Sequence, residues 1–486
     1  ELRNRVERVK KDLSSQVEAS FQNVGQLGPT SGEVASISEP ISNKIKGQYY
    51  HLHDACLVAD ALGQTLKKHL VSTFCRQQLS TYDLIFHSIE YGDMNPESLE
   101  KRFAWFRKLI NAIDFHFEAV FPQHWQVQRR LCLNFLDKTR EALLEELGRN
   151  EGDTAQEVKP LLKKLQKCLS FEKEASEKFE ANLKNPKQAN NKPTHSPILL
   201  PKDGEDANED GEVLPLICGM LSSVFDPYMG PYIALEKKKL KEITSSDVSD
   251  SNEAIDQDGK LPVFSSSVNL FVYIKNSILR CTKLTNGTTF FDLYKEFKAS
   301  LRDYAENLED KFPPAASSTF YSKAPAYKVA EGKEIGICYV INTAEYCYST
   351  LPQLEEIIRT KINASYREEI DMGQEEEIFK KLIAKAILIL YKGLENRIEP
   401  SFKEMSAINW GACQPVGEES KYVHSIEENI AAFVPNVRNV LGKEYFRSFC
   451  NQFVSDFLPS FLNLILRQKL INDVGTQQVK NCEMER

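Results

Sequence analysis

With 486 residues, 42% of them hydrophobic and 27% charged, and a net charge of -8 at neutral pH, the chain exceeds the roughly 250 residues that one core usually spans, so two or three globular units are expected. The acidic balance removes the general attraction on which phosphate-driven binding depends, and no nucleic acid is expected as a partner. The 11 scattered cysteines contain no Cys-x-x-Cys pair, which favours reduced thiols and a cytosolic setting over a disulfide framework.

Leu2, Val6, Val9 and Leu13 recur at steps of four and three, and Val17 and Phe21 continue the stripe with charged residues between them. Residues 1–24 read as the end of an N-terminal coiled coil, with Leu2, Val6, Val9 and Leu13 as a partner-helix seam. So short a stripe equally fits an amphipathic helix docking on its own domain. Glu1 in place of Met predicts a natural start further upstream. Residues 25–47, rich in Gly, Ser and Pro, read as a flexible connection.

A first helical bundle is expected over 48–183. Leu52, Leu57, Leu62, Leu66, Leu70 and Phe74 mark one long helix or two. From Asn95 to Leu147 two helices are broken by a Phe121-Pro122 joint. Asn95 suits a cap and Pro96 the first helical position, where a missing N–H leaves no bond unmade. Leu99, Phe103, Phe106, Ile110, Ile113 and Phe117 form one face, and Leu131, Phe135, Leu136, Leu143 and Leu147 the next. So short a joint predicts antiparallel packing. Thr154-x-x-Glu157 has the capping-box pattern and leads into a further helix through Leu161, Leu165, Cys168 and Phe179.

Residues 184–212, with four prolines and an acidic cluster, read as a disordered linker. A helical region follows over 213–312, interrupted by a polar tract at 244–260, with faces at Val268, Phe271, Ile274, Ile278 and at Tyr294, Phe297, Leu301, Tyr304. A second linker is expected over 313–333, a C-terminal helical bundle over 334–474 and a tail over 475–486. Phe446, Phe449, Phe453, Phe457 and Phe461 recur at helical steps and read as core. Strand-type alternation is nowhere sustained, so the fold class is all-α.

The sequence offers little chemistry. His51-Leu-His53-Asp54 supplies metal-ligand types, but a helix sets Leu52 between groups that do not share a face, and Asp54 reads as a helix-start cap. Asp206-x-Asn208-x-Asp210-Gly211 copies the opening of a calcium loop, yet its twelfth position is Ile217, which cannot ligate. The run Glu236-Lys237-Lys238-Lys239-Leu240-Lys241 reads as a solvated helix face. Asn286-Gly-Thr288 and Asn363-Ala-Ser365 match the glycosylation pattern by chance. No phosphate-binding, dinucleotide-binding, zinc-protease or nucleophile-elbow pattern occurs. No enzyme activity, cofactor or metal is expected, and no apolar run approaches the ~20 residues that cross a bilayer.

Several blocks resemble one family. Arg102-Phe-Ala-Trp105, Phe121-Pro-x-x-Trp125, Arg129 and Phe135-x-x-x-Thr139-Arg140 are similar to the middle of the vacuolar protein sorting-associated protein 53 family. Asp54-Ala-Cys-Leu-Val-Ala59, Leu270-Phe-Val-Tyr273, Cys281-x-x-Leu284-x-x-Gly287, Leu301-Arg-x-Tyr-Ala305, Thr343-Ala-Glu-Tyr-Cys347 and Gln353-Leu-Glu-Glu356 match in the same order. The resemblance runs from Leu2 to Gln478. It implies elongated helical-rod bundles of the multisubunit tethering type, in a subunit of the Golgi-associated retrograde protein complex and of the related endosomal recycling complex. The implied partners are the other subunits, through coiled-coil and helical-bundle contacts, together with SNARE proteins, small GTPases and membrane lipid. The implied location is the cytosolic face of the trans-Golgi network and recycling endosomes, as a peripheral membrane protein. Two alternatives stand beside this reading. An unrelated helical scaffold would show a fixed repeat, and none is seen; a metal-dependent hydrolase would have to build its site around His51 and His53.

Overall fold

A 3.6-residue apolar period runs through nearly every element of the computed structural model. It describes residues 2–22, 24–29, 49, 51–86, 94–117, 120–149, 158–181, 214–245, 254–255, 261–316, 326–413 and 420–484. The Thr154–Glu157 capping pattern, the 184–212 linker and the Asp206–Gly211 loop lie outside these residues. The chain divides into two compact units, Glu1–Tyr232 and Ile233–Arg486. The stretch expected as one helical region over 213–312 is thus shared between them.

The first unit contains α1 (Leu2–Gln22), α2 (His51–Leu62), α3 (Gln64–Phe86), α4 (Pro96–Phe117), α5 (Val127–Arg149) and α6 (Val158–Phe179). Gly63 decides between one helix and two. Its φ of +118° is a backbone conformation that a Cβ would strain, so α2 stops there and α3 begins. Asn95 caps α4 as expected, its Oδ1 accepting from Glu97 N at 3.0 Å and Ser98 N at 2.7 Å. After Pro122 the chain makes a 3₁₀ turn at Gln123–Trp125 before α5. Gln128, early in α5, donates to Asp114, late in α4, while Phe135 further along α5 stacks on Phe106 further back in α4, ring centroids 4.3 Å apart. The two helices therefore run antiparallel.

Phe103, Phe106, Phe135 and Phe171 of α4, α5 and α6 form the centre of this core, with Phe103 and Phe171 stacked at 4.3 Å. Arg102 is buried among them. Its guanidinium donates to Tyr82 Oη at 2.8 Å and Phe86 O at 3.0 Å and lies 4.8 Å from the Phe86 ring centroid. A buried cation is tolerated because both terminal nitrogens donate and the guanidinium faces π-clouds.

A polar clasp then returns the chain to this unit after the 182–213 interval. Glu180 accepts from Arg129 Nη2 at 3.2 Å, Ser176 Oγ at 2.8 Å and Ile217 N at 3.1 Å. Glu172 accepts from Leu221 N, Ser222 N and Ser222 Oγ at 2.5, 3.0 and 2.8 Å. All three charged residues are buried. Burial of these groups is offset because both carboxylates and the Arg129 Nη nitrogens meet charge-assisted hydrogen bonds.

The second unit draws on α7 (Gly230–Ser245), α8 (Ser265–Cys281), α9 (Thr288–Glu309), α10 (Lys333–Lys361), α11 (Gly373–Ala407), α12 (Lys421–Val440), α13 (Lys443–Leu466) and α14 (Asp473–Met484). α11 is its axis, with α9, α10, α12 and α13 packed along it. The only β structure among the described residues is two antiparallel ladders of two residues each: β1 (Ala254–Ile255) with β2 (Val263–Phe264), and β3 (Ala315–Ala316) with β4 (Ala326–Tyr327). The all-α class holds.

Composition placed 313–333 in a linker, yet Tyr327 and Val329 are buried. Val329 lies so close to Gly393 that a Cβ there would be 2.5 Å from Val329 Cγ2, and Arg397 donates to Val329 O at 3.0 and 3.2 Å. The 475–486 tail contributes most of α14, whose start is fixed by Asn472 Oδ1 accepting from Gly475 N at 2.7 Å. Buried Glu236 is held by Arg280, Tyr273 and Ser277. Buried Glu375 faces Arg302, and Glu334 faces Arg397. Burial alone would lower the Lys392 pKa, but bonds to Glu395 and Asp456 outweigh it and raise the value.

Candidate partner-helix interface

The α1 stripe is split between two environments. Val17 and Phe21 are 5% and 8% exposed, whereas Leu2, Val6, Val9 and Leu13 are 82%, 49%, 51% and 37% exposed. Only the C-terminal half of the helix therefore docks, on α2 and α3. Phe21 stacks on Phe121 with centroids 6.2 Å apart, and Glu18 reaches His69 at 3.5 Å. Of the two readings left open by the periodicity, docking on the helix's own unit is met over the last turns alone. The last turns pack on the unit's own core, and the first three present four apolar side chains with charged residues around them.

The docked end is held by more than apolar contact. Residues 25–29, placed by composition in a flexible connection, lie along α3 instead. Gln78 accepts from Leu27 N and donates to Gly25 O, each at 3.0 Å, and Trp105 Nε1 donates to Pro29 O at 3.0 Å. Gly28 permits this approach, since a Cβ would be 2.8 Å from Trp105 Cζ2. A carboxamide bonded on both sides substitutes for a strand neighbour, which is why a Gly-rich sequence is fixed here.

The chemical candidates do not assemble. His51 is exposed and Leu52 is buried between the two imidazoles, while His53 Nδ1 lies 3.2 Å from Val120 O. Asp54 stands inside the first turn of α2 and not at its cap; there its charge complements the helix N-terminus. Among the described residues no group of three or more His, Cys, Asp or Glu is gathered as a metal site. Burial pushes the Cys56 and Cys75 thiols up to about 12, so neither is a thiolate near neutrality.

A second apolar face escaped the sequence reading. Phe449 and Phe457 of α13 are buried, and Phe446, Phe453 and Phe461 half-buried. On another side of the same helix Val454, Leu458, Leu462 and Leu466 are exposed, followed by exposed Leu470. The signal was present as a four-residue step, but the aromatic stripe claimed the helix first.

Residues 1–252 match the family model described as "Vps53, N-terminal". The chain belongs to the Vps53 family. It is 29% identical, over a 511-residue alignment covering 99% of this chain, to vacuolar protein sorting-associated protein 53 A of Arabidopsis thaliana. Over 490 residues and 95% of the chain it is 24% identical to the Caenorhabditis elegans homolog of the same protein. Over 401 residues and 78% of the chain it is 21% identical to the Saccharomyces cerevisiae protein. The chain spans 60%, 57% and 43% of those relatives' lengths. The Vps53 blocks read in the sequence are mostly interior: Arg102, Trp105, Trp125, Arg129, Phe135 and Thr139 are all buried.

Proposed function

We propose that the chain acts as a non-enzymatic subunit of a multisubunit vesicle-tethering complex, in endosome-to-trans-Golgi-network retrograde transport and endosomal recycling. The observation that carries this reading is the Vps53 family match over 1–252. The all-helical architecture is compatible with it. Among the described residues no helix is long and apolar enough to cross a membrane, and a peripheral position on trans-Golgi and endosomal membranes belongs to the same proposal.

On this reading Leu2, Val6, Val9 and Leu13 pack against helices of the sister subunits of the Golgi-associated retrograde protein and endosomal recycling complexes. Four exposed apolar residues on one helical face are what a coiled-coil partner covers. SNARE proteins, small GTPases and membrane lipid would then be met by surfaces of the later helices. Joining several weak contacts through one scaffold raises effective concentration, so tethering needs no bond made or broken.

The test is a pull-down from cells with the full-length protein beside one carrying Leu2→Asp and Val9→Asp, read by mass spectrometry. Sister tethering subunits recovered by the first and lost by the second support both the role and the seam. Retention by the variant moves assembly off the seam. Absence of sister subunits from both overturns the tethering role.

A further inference from the structure

In the second unit α7 and α8 lie side by side. Glu236 of α7 accepts from Tyr273, Ser277 and Arg280 of α8 at 2.7, 2.8 and 2.8 Å. α8 begins beside the second half of α9, where Ser266 Oγ lies 2.8 Å from Tyr304 Oη. α7 runs the other way, along α9, from Lys237 against Glu296 to Thr244, whose carbonyl accepts from Asn307 at 2.9 Å. The pair is therefore antiparallel, and each helix turns one side away from the core. We propose that this outer face of α7 and α8 docks on a bilayer surface rich in anionic phospholipid.

Charge is the first ground. The whole chain has a net charge of -8, yet α8 contains no acidic residue. On α7 both carboxylates are already spent, Glu236 on Arg280 at 2.8 Å and Glu242 on Lys239 at 2.7 Å, and Lys237 is spent on Glu296 at 3.0 Å. What remains is Lys238 and Lys241 on α7, Lys275 on α8 and Lys283 just beyond it. All four are exposed, and among the described residues none of them is in an ion pair. Four uncommitted cations with no uncommitted carboxylate on either helix make a positive patch. Each basic residue held near an anionic bilayer strengthens partitioning about fivefold.

The second ground is what lies among the lysines. Buried Leu270, Ile274, Ile278 and Cys281 define the inner side of α8, so Val272, Lys275, Asn276 and Leu279 share the outer one. Val272 is 53% and Leu279 41% exposed, and on α7 Leu235 is 44% exposed one turn before Lys238. Aliphatic side chains set between lysines are the mixture that enters the boundary between headgroups and acyl chains. Other polyanions ask for something else. Phosphorylated or carboxylate-rich proteins are gripped by the bidentate fork of arginine, and single-stranded nucleic acid needs rings on which bases stack. Here the one arginine is committed to Glu236, and no exposed residue of either helix carries a ring. Ammonium groups on flexible stems meet a diffuse headgroup layer without demanding a fixed geometry.

This contact would serve the peripheral membrane position of the tethering proposal, on which its role in the cell rests. Vesicle binding needs no sister subunit, so failure of the pull-down and failure of this surface are separate results.

The test is flotation of the full-length protein with vesicles of phosphatidylcholine alone or with roughly one-third phosphatidylserine. Partitioning at least about tenfold stronger onto the anionic vesicles, and lost as salt rises from about 0.1 to about 0.5 M, is expected. Lys238→Gln with Lys275→Gln should weaken it about twentyfold. Val272→Ser with Leu279→Ser should weaken it about tenfold, in both cases with helicity by circular dichroism unchanged. Lys159→Gln with Lys163→Gln, at exposed lysines of α6, should leave it unaltered. No preference for anionic vesicles, binding unchanged in both α7–α8 variants, or equal weakening by the α6 pair overturns the proposal. Release by inorganic phosphate at the vesicles' own phosphate concentration marks a free-anion site and overturns it too. So does tighter binding to poly-glutamate that ignores the Val272, Leu279 variant, which reassigns the face to an acidic protein.

Discussion

Gly393→Ala separates two effects of opposite sign. In a helix interior alanine is favoured over glycine by about 0.8–1.0 kcal/mol, so propensity alone predicts a more stable α11. The packing predicts the reverse. The new Cβ would be 2.5 Å from Val329 Cγ2 and 2.9 Å from Val329 Cβ, against the ~3.5–4.0 Å at which carbon atoms rest. Val329 must therefore retreat by about 1 Å. Its backbone resists, because Arg397, one turn further along α11, holds Val329 O with two nitrogens. Overpacking of this kind costs about 1–3 kcal/mol, leaving a net loss of roughly 1–2 kcal/mol after the propensity gain. Hydrogen exchange by mass spectrometry reads it locally: amides of α11 and of residues 326–333 should exchange about tenfold faster for each 1.4 kcal/mol lost. In a Val329→Gly background the same Gly393→Ala change should turn neutral or protective. Slower exchange in Gly393→Ala alone would refute the packing argument.

Asn95→Ala should destabilise α4 by about 1 kcal/mol, and Asn95→Asp should leave it nearly unchanged, both read by urea denaturation. Glu180→Ala leaves Arg129 buried without its carboxylate and should cost about 3–5 kcal/mol, most of which the Arg129→Met, Glu180→Leu double variant recovers. Burial raises the Glu236 pKa, but bonds from Arg280, Tyr273 and Ser277 outweigh it and hold the carboxyl below its ordinary range. Its stabilising contribution is therefore present above the ordinary carboxylate pKa and lost as pH falls through the folded value. The stability gap between the native chain and Glu236→Gln should shrink on acidification; a gap that widens contradicts this assignment. Exposed Cys218 should react with a thiol reagent at once, and buried Cys56 and Cys75 only on unfolding, timed by absorbance against circular dichroism.

Helix positions were legible where the chain marks its own ends. Asn95 and Pro96 announced α4, and the apolar steps from Leu99 to Phe117 gave the face it buries. Less legible was anything that depends on residues distant in sequence. Glu172 and Glu180 look like ordinary charges on an amphipathic helix, and only the return of residues 214–222 makes them buried acceptors. Gly25 to Pro29 has the composition of a loose connection, yet Gln78 and Trp105 supply the bonds that fix it. Val329 and Tyr327 sit in a polar, proline-containing tract whose burial depends on a glycine more than 60 residues later. On α1 the apolar stripe through Leu2, Val6, Val9 and Leu13 was readable from spacing. That the same stripe is buried from Val17 onward was not, because periodicity reports which side of a helix is apolar and not what lies against it. Nor does anything in Gln126, which joins the 3₁₀ turn to α5, announce its left-handed backbone.

The half-docked first helix also sets an angular phase. Each residue advances the helix by 100° and 1.5 Å, so once Val17 and Phe21 are seated on α2 and α3 the azimuth of Leu13, Val9, Val6 and Leu2 is no longer free. On the proposed seam, the docking of Val17 and Phe21 thereby chooses the compass bearing from which a partner helix would approach, although neither residue takes part in that contact. One alanine inserted between Leu13 and Val17 would swing the seam through about 100° while keeping every residue of it. Loss of partner binding in that insertion, with restoration when four residues are inserted and the bearing returns to within about 40°, would show orientation acting as a determinant separate from composition.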